Sequence, residues 1–228
     1  MLQRYTPTQI LILLAIAALF IWQMGILRGG QLWWIIGLVV GITVHEACHA
    51  LTAVRLGDPT PRLMGRLSLN PLRHLDPVGS FLILVAHFGW GKPVVFNPAN
   101  LRVDPAFGSA LVSVAGPVAN LATAFLAYQP LRAGVALDPI AHAVLVGIVS
   151  ANLGLAAFNL IPIPPLDGFG FVSGLLPKPL AYQLQPLRQY GPMLLLLLVF
   201  LPALGGPDIL GSVLRPVIAN LTKLIMLG

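Results

Sequence analysis

The sequence predicts an all-α polytopic membrane protein with about six transmembrane helices, and three observations carry that prediction. The 228 residues are 57% hydrophobic and 9% charged, with a mean hydropathy of +0.88; soluble domains are about 25% charged. Apolar runs recur near the ~20-residue length that a bilayer demands. Two of those runs open on Asp-Pro, at Asp104-Pro105 and Asp138-Pro139. Asp as N-cap followed by Pro at the first helical position is a helix start.

The runs follow in order. Residues 9–27 form the first, and no small-residue cleavage site follows it, so it reads as an uncleaved anchor. Arg28-Gly29-Gly30 makes a tight turn into the second run, 31–51. The third and fourth are 105–131 and 139–161. A fifth apolar stretch starts near Pro186 and includes 193–204. The last, 209–227, is interrupted by Arg215-Pro216 and Lys223, and either spans the bilayer or lies at its surface. Residues 55–77 are polar and rich in Pro and Arg. Residues 81–95 are apolar but too short and broken to span. Two β-prone runs around Gly89-Trp90-Gly91 fit a membrane-dipping β-hairpin, and a short interfacial helix fits equally. The whole chain, 1–228, reads as one membrane-embedded domain, with a core at 31–170 and accessory helices at 9–27 and 186–227.

Six of the 13 Lys and Arg residues fall between 51 and 104. If spans alternate, Arg4, Lys178 and Arg188 share that side, and only Arg28 and Arg132 oppose it. The positive-inside rule therefore places the N-terminus and the 51–104 loop in the cytoplasm. The net charge of +6 reads as orientation and contact with anionic lipid. No basic-aromatic patch points to nucleic acid. The single cysteine, Cys48, excludes an intrachain disulfide and a cysteine-only metal cage.

The only glutamate, Glu46, lies between two histidines in the second run: His45-Glu46-Ala47-Cys48-His49. Residues four apart share a helix face, so His45 and His49 can offer two imidazole nitrogens to one metal. Glu46 beside that metal suits a general base on metal-bound water. Ionisable groups at membrane depth are costly and mark function. A catalytic zinc takes three protein ligands and keeps a fourth position for water. With no other glutamate in the chain, the third ligand is an Asp, another His, or Cys48. Asp58, Asp76, Asp104 and Asp138 all precede Pro, which is turn or cap chemistry, and Asp208 is placed to cap the last helix. Asp167 differs. It follows the fourth span and a proline break, Asn159-Leu-Ile-Pro162-Ile-Pro164-Pro165-Leu-Asp167-Gly168, at the same end of the membrane as the two histidines. It is the favoured third ligand.

These segments, with Ala115-Gly116-Pro117-Val-Ala-Asn120, resemble the site-2 protease family of intramembrane zinc metalloproteases (peptidase family M50). Gly65-Arg-Leu-Ser-Leu-Asn70-Pro71 and Gly89-Trp90-Gly91-Lys92-Pro93 resemble its minimal subgroup, without PDZ or CBS modules. The resemblance covers roughly 43–170. It implies one zinc per chain held by His45, His49 and Asp167, with Glu46 as catalytic acid and base. It implies a transmembrane protein as substrate, and a role for Asn159 in holding substrate or oxyanion. Asn120 reads as a packing or support residue, and Cys48 as a small packing residue. His74 and His87 fall in the loop region as further candidates, while His142 lies at the far end of the fourth span. The compact chain fits a prokaryotic cell membrane. The alternative is a membrane metal-binding protein or transporter without proteolytic activity. A transport path would string ligands along the spans, whereas here they cluster at one depth.

Overall fold

The computed structural model describes residues 30–77, 79, 80 and 91–227. The predicted anchor at 9–27 lies outside the described residues, as does 81–90 of the predicted hairpin. Among the described residues the chain is helical and holds no strand. The principal helices are α1 (Gln31–Leu56), α2 (Thr60–Leu63), α3 (Pro105–Arg132), α4 (Pro139–Asn159), α5 (Asp167–Leu175), α6 (Lys178–Gln183), α7 (Leu187–Phe200) and α8 (Ile209–Leu227). Four of them, α1, α3, α4 and α8, are long and apolar enough to cross a membrane. The fifth apolar stretch forms only the 14-residue α7, which breaks at Leu201 into a 3-10 turn, Pro202–Leu204. At 1.5 Å per residue α7 reaches about 21 Å, short of a hydrocarbon core of about 30 Å.

The Asp-Pro starts behave as the sequence indicates. Asp104 accepts hydrogen bonds from the N–H groups of Ala106 and Phe107, and Asp138 from those of Ile140 and Ala141. Asp208 accepts from the Gly211 N–H and pairs with Arg215.

Helices α1, α3 and α4 pack pairwise against one another. At the α1–α4 crossing, Gly37 and Gly147 meet backbone to backbone. A Cβ on Gly37 would strike the Gly147 carbonyl, and one on Gly147 would strike Trp33. Close approach through small residues is how helices gain contact area where lipid removes the hydrophobic drive. Leu38, Ile42 and Ala151 fill the space beside this crossing. Ala124, Leu153 and Ile225 tie α8 to α3 and α4. Ile161, Leu166 and Leu195 seat the proline-rich connection after α4 against α7.

The polar loop is anchored to the end of α1. Gly57 closes that helix with φ +119, a left-handed conformation that favours glycine. Asp58 follows, fully buried. It does more than the turn chemistry expected of it. Its carboxylate accepts from the Thr60 N–H and hydroxyl, and also from the Asn97 N–H at 2.6 Å and the Asn100 amide at 2.9 Å. The Arg102 N–H donates to the Leu56 carbonyl beside it. Within the loop, buried Arg66 donates to the carbonyls of Arg73 and Lys92, and the His74 carbonyl accepts from the Lys92 N–H. The 91–95 limb of the predicted hairpin thus finds its partner upstream. Gly91 forms an isolated antiparallel bridge with Leu75, and the chain runs on without helix or strand to Asn97, whose own backbone is extended.

Burial works to raise the pKa of Asp58, but the hydrogen bonds from Asn100, Thr60 and Asn97 outweigh it and bring it from 3.8 to about 2. A depressed carboxylate pKa stabilises the folded form above the ordinary value and loses that effect as pH falls through the folded one. Pepsin nicking between residues 91 and 104 should therefore rise in the wild type as pH drops from about 4 to about 2. Asp58→Asn should nick readily throughout and lack this pH component. Equal pH profiles for the two proteins would refute the anchoring role.

Candidate metal centre

The helical turn between His45 and His49 sets the two imidazoles edge to face, ring centroids 4.5 Å apart. Both side chains are buried. They fit because α3 presents Gly116 opposite them; a Cβ there would press into both rings. Asp167 comes from a different place, the first turn of α5, where the helix dipole favours a carboxylate. Its Oδ2 lies 2.9 Å from His45 Nε2 and 3.3 Å from His49 Nε2. The structure thus brings together the three residues singled out as a ligand set.

The hydrogen bonds on the far side of each ring decide the chemistry at this point. His49 Nδ1 lies 2.7 Å from the Val112 carbonyl, which can only accept, so Nδ1 carries the proton. His45 Nδ1 lies 2.6 Å from Asn120 Oδ1. The Asn120 amide is oriented by its own donations, to the Gly41 carbonyl at 3.0 Å and to Asn152 Oδ1 at 2.8 Å. Asn152 in turn donates to the carbonyls of Ile148 and Gly37. Each amide has its nitrogen toward backbone carbonyls, so its oxygen is left to accept. The chain of donors therefore runs from His45 through Asn120 and Asn152 to backbone, and His45 also carries its proton on Nδ1.

With both rings neutral, the two Nε2 atoms face Asp167 with lone pairs. Asp167 Oδ2 is buried and receives no hydrogen bond. The short N···O distances suit ion pairs only if the rings are doubly protonated. Two adjacent imidazoliums against one carboxylate would leave a net charge buried among apolar helices, at high cost. Three converging lone pairs instead fit a divalent cation. Ligands about 2.0–2.2 Å from a tetrahedral metal lie about 3.3 Å apart, close to the separations found here.

Glu46 projects into the same cavity, and its Oε2 accepts from the Val94 N–H at 3.0 Å. That bond links the helix to the 92–97 segment, which lines the cavity through Pro93, Val94 and Phe96. The cavity, about 470 Å³, is walled by apolar side chains including Ile42, Val94, Leu155, Phe158 and Leu195. Asn159 lines it too; one of its amide protons goes to the Leu155 carbonyl at 3.0 Å, leaving a second for a ligand.

Other candidates fall elsewhere. Cys48 is outside the cluster. His74 is fully buried, with Nε2 2.7 Å from the Ser68 carbonyl, and does not line the cavity. His142 is exposed near the start of α4. His87 lies outside the described residues. Asn152 is the residue that sequence reasoning passed over. Its signal was present: it sits seven residues before Asn159, on the same face of an apolar helix.

No family model matches the chain, and no solved structure does. Curated relatives do. A Bacillus subtilis protein named "Putative zinc metalloprotease YwhC" is 39% identical over 181 residues, 75% of this chain and 81% of its own length. Two mycobacterial proteins named "Putative zinc metalloprotease Rip2" match over 179 residues, 75% of this chain and 68% of their own length. They are 36% identical in Mycobacterium tuberculosis and 35% in Mycolicibacterium smegmatis.

Hydrogen-bond partners behind metal-binding histidines typically tune affinity by about 10–100-fold. Asn120→Leu should weaken divalent-metal binding by about that factor, measured by competition with a chelator. Asn152→Leu, which touches neither ring, should act in the same direction. Wild-type affinity in both would remove the relay as a determinant of His45.

Proposed function

This chain belongs to the zinc metalloprotease family of these relatives, and on that premise we propose that it is an intramembrane zinc metalloprotease of the site-2 protease type. Its reaction is hydrolysis of a peptide bond in the transmembrane segment of another membrane protein. The observation that carries this reading is Asp167 Oδ2, buried without a donor against two imidazole lone pairs, beside the chain's sole glutamate.

His45, His49 and Asp167 would hold one zinc ion per chain. Bound there, zinc would supply Lewis-acid polarisation of a carbonyl and acidification of a water. Glu46 takes the proton from the attacking water and returns it to the leaving nitrogen. The Val94 N–H holds one carboxylate oxygen, which aims the other into the cavity. Apolar walls keep bulk water from the reacting atoms and match the side chains of a membrane span. Asn159, with its remaining amide proton, is placed to steady the substrate or a developing oxyanion.

A helical substrate hides its carbonyls in internal hydrogen bonds and must unwind before attack. The 92–97 segment, neither helix nor strand, would offer its remaining backbone groups for an unwound stretch to pair with. The polar 55–77 loop lies at the same end of the bundle and supplies a route for water. By the positive-inside rule this end faces the cytoplasm, in the cell membrane of a prokaryote. A transporter would distribute its ligands along a path, whereas these three atoms lie within 4.8 Å of one another.

Metal analysis tests the ligand set without any substrate. Wild-type protein should purify with about one zinc per chain, and Asp167→Ala with far less. Zinc retained in full by the variant would remove Asp167 from the set. Glu46→Gln separates binding from chemistry. It should keep its zinc and lose hydrolysis by a factor on the order of 10²–10⁴, the usual weight of a general base. Hydrolysis that survives this substitution would overturn the role given to Glu46.

A further inference from the structure

Beyond Asp167 the cavity opens into a second cleft of about 700 Å³, and the two share Phe96, Ser113, Pro165, Leu166 and Asp167. Their walls differ. The first is mainly apolar apart from the metal centre, Glu46 and Asn159; the second adds Ser109, Ser173, Gln185 and Arg188 to the Ser113 that both share. The second also reaches Pro98 and Pro105, so it opens toward the arginine-rich loop at the polar end of the bundle. A chain lying across both would pass from an apolar to a polar environment at the metal centre. That is the profile of a membrane span leaving the bilayer.

Arg188 is the cation of this second cleft. Its guanidinium lies over the buried Phe169 ring, 5.4 Å from the centroid, two residues from Asp167. Arg188 is exposed, and the ring contact orients the guanidinium without neutralising it. Among the described residues no carboxylate lies within ion-pair distance of it. Asp167 shares the cleft but forms no ion pair with Arg188 and belongs to the proposed ligand set. On the adjoining loop Asp58 is enclosed by its own donors and Asp104 caps α3, so neither carboxylate is available as its counter-ion.

We propose that this cleft is a substrate subsite whose ligand is an acidic side chain on the polar flank of the bound span, with Arg188 as its counter-ion. The proposal rests on the protease reading for the identity of its ligand. It gives the protein a selectivity that the metal centre alone does not. Cytoplasmic flanks of membrane spans are mostly Lys- and Arg-rich, so an acidic flank is the exception, and a subsite for it narrows the set of acceptable substrates.

The test uses binding, so it does not depend on turnover. The probes are dye-labelled peptides with a span of about 20 Ala and Leu residues and a flank of Asp, Asn or Lys at either end. Anisotropy in detergent is read with zinc-loaded Glu46→Gln protein, in which hydrolysis is expected to be suppressed. The Asp flank should bind about five-fold tighter than Asn, the size of an exposed ion pair, and the gap should shrink with salt. Adding Arg188→Gln should abolish the preference, and Arg188→Glu should reverse it toward Lys. Equal binding of all three peptides, or an acid preference that survives Arg188→Gln, overturns the subsite. The same peptides given to wild-type protein separate the two readings. Charge-selective binding without cleavage would count against the protease reading and leave the subsite standing.

Discussion

Three lone pairs pointing at one another inside an apolar bundle are the constraint on which this structure turns. Nε2 of His45, Nε2 of His49 and Oδ2 of Asp167 converge at 2.9 and 3.3 Å, and in the neutral tautomers all three present lone pairs. The arrangement is repulsive by itself and becomes favourable around a cation. Much of the central packing serves it. Gly116 leaves room for the rings, Val112 and Asn120 hold their far nitrogens, and the Gly37–Gly147 crossing brings α4 close enough for Asn152 to orient Asn120. Buried polar groups of this kind are costly unless every donor and acceptor is satisfied. Here the donors are all spent on carbonyls, and what remains unsatisfied is the acceptor set that a metal would take.

A second set of interactions governs what lies over that centre. The 91–97 segment has no sheet to hold it among the described residues. It is held instead by single bonds from groups far apart in sequence: His74 and Arg66 at Lys92, Glu46 at Val94, and Asp58 at Asn97. Charged or buried partners at three points hold this backbone against the cavity. Glu46 belongs to both systems, standing beside the metal-binding face while gripping the segment above it.

Asp167 marks a change of environment. On one side the walls are mainly apolar, and on the other they add hydroxyls, an amide and a guanidinium. A hydrolytic centre acting on a membrane span needs both. On the proposed reading, the apolar side would receive the span, and the polar side would admit water and accommodate the flank that water solvates.

Much of this was legible in the sequence because it is local. Helix length and composition mark α1, α3 and α4, the Asp-Pro starts act as caps, and the four-residue spacing of His45 and His49 requires only a helix. Asp167 could be picked out because the chain offered few carboxylates and only this one followed a span and a proline break. The anchor at 9–27 and the tip of the hairpin lie outside the described residues. What the sequence alone left undecided involves pairs distant in the chain. Asn152 behind Asn120, Asp58 bound to Asn97 and Asn100, Gly91 bridging to Leu75, and Arg188 stacked on Phe169 depend on how helices cross and where loops return. Periodicity and propensity report a residue's own element and its nearest neighbours. The tautomer of His45 depends on an amide 32 residues beyond the one it touches, and only the packed structure places the two together.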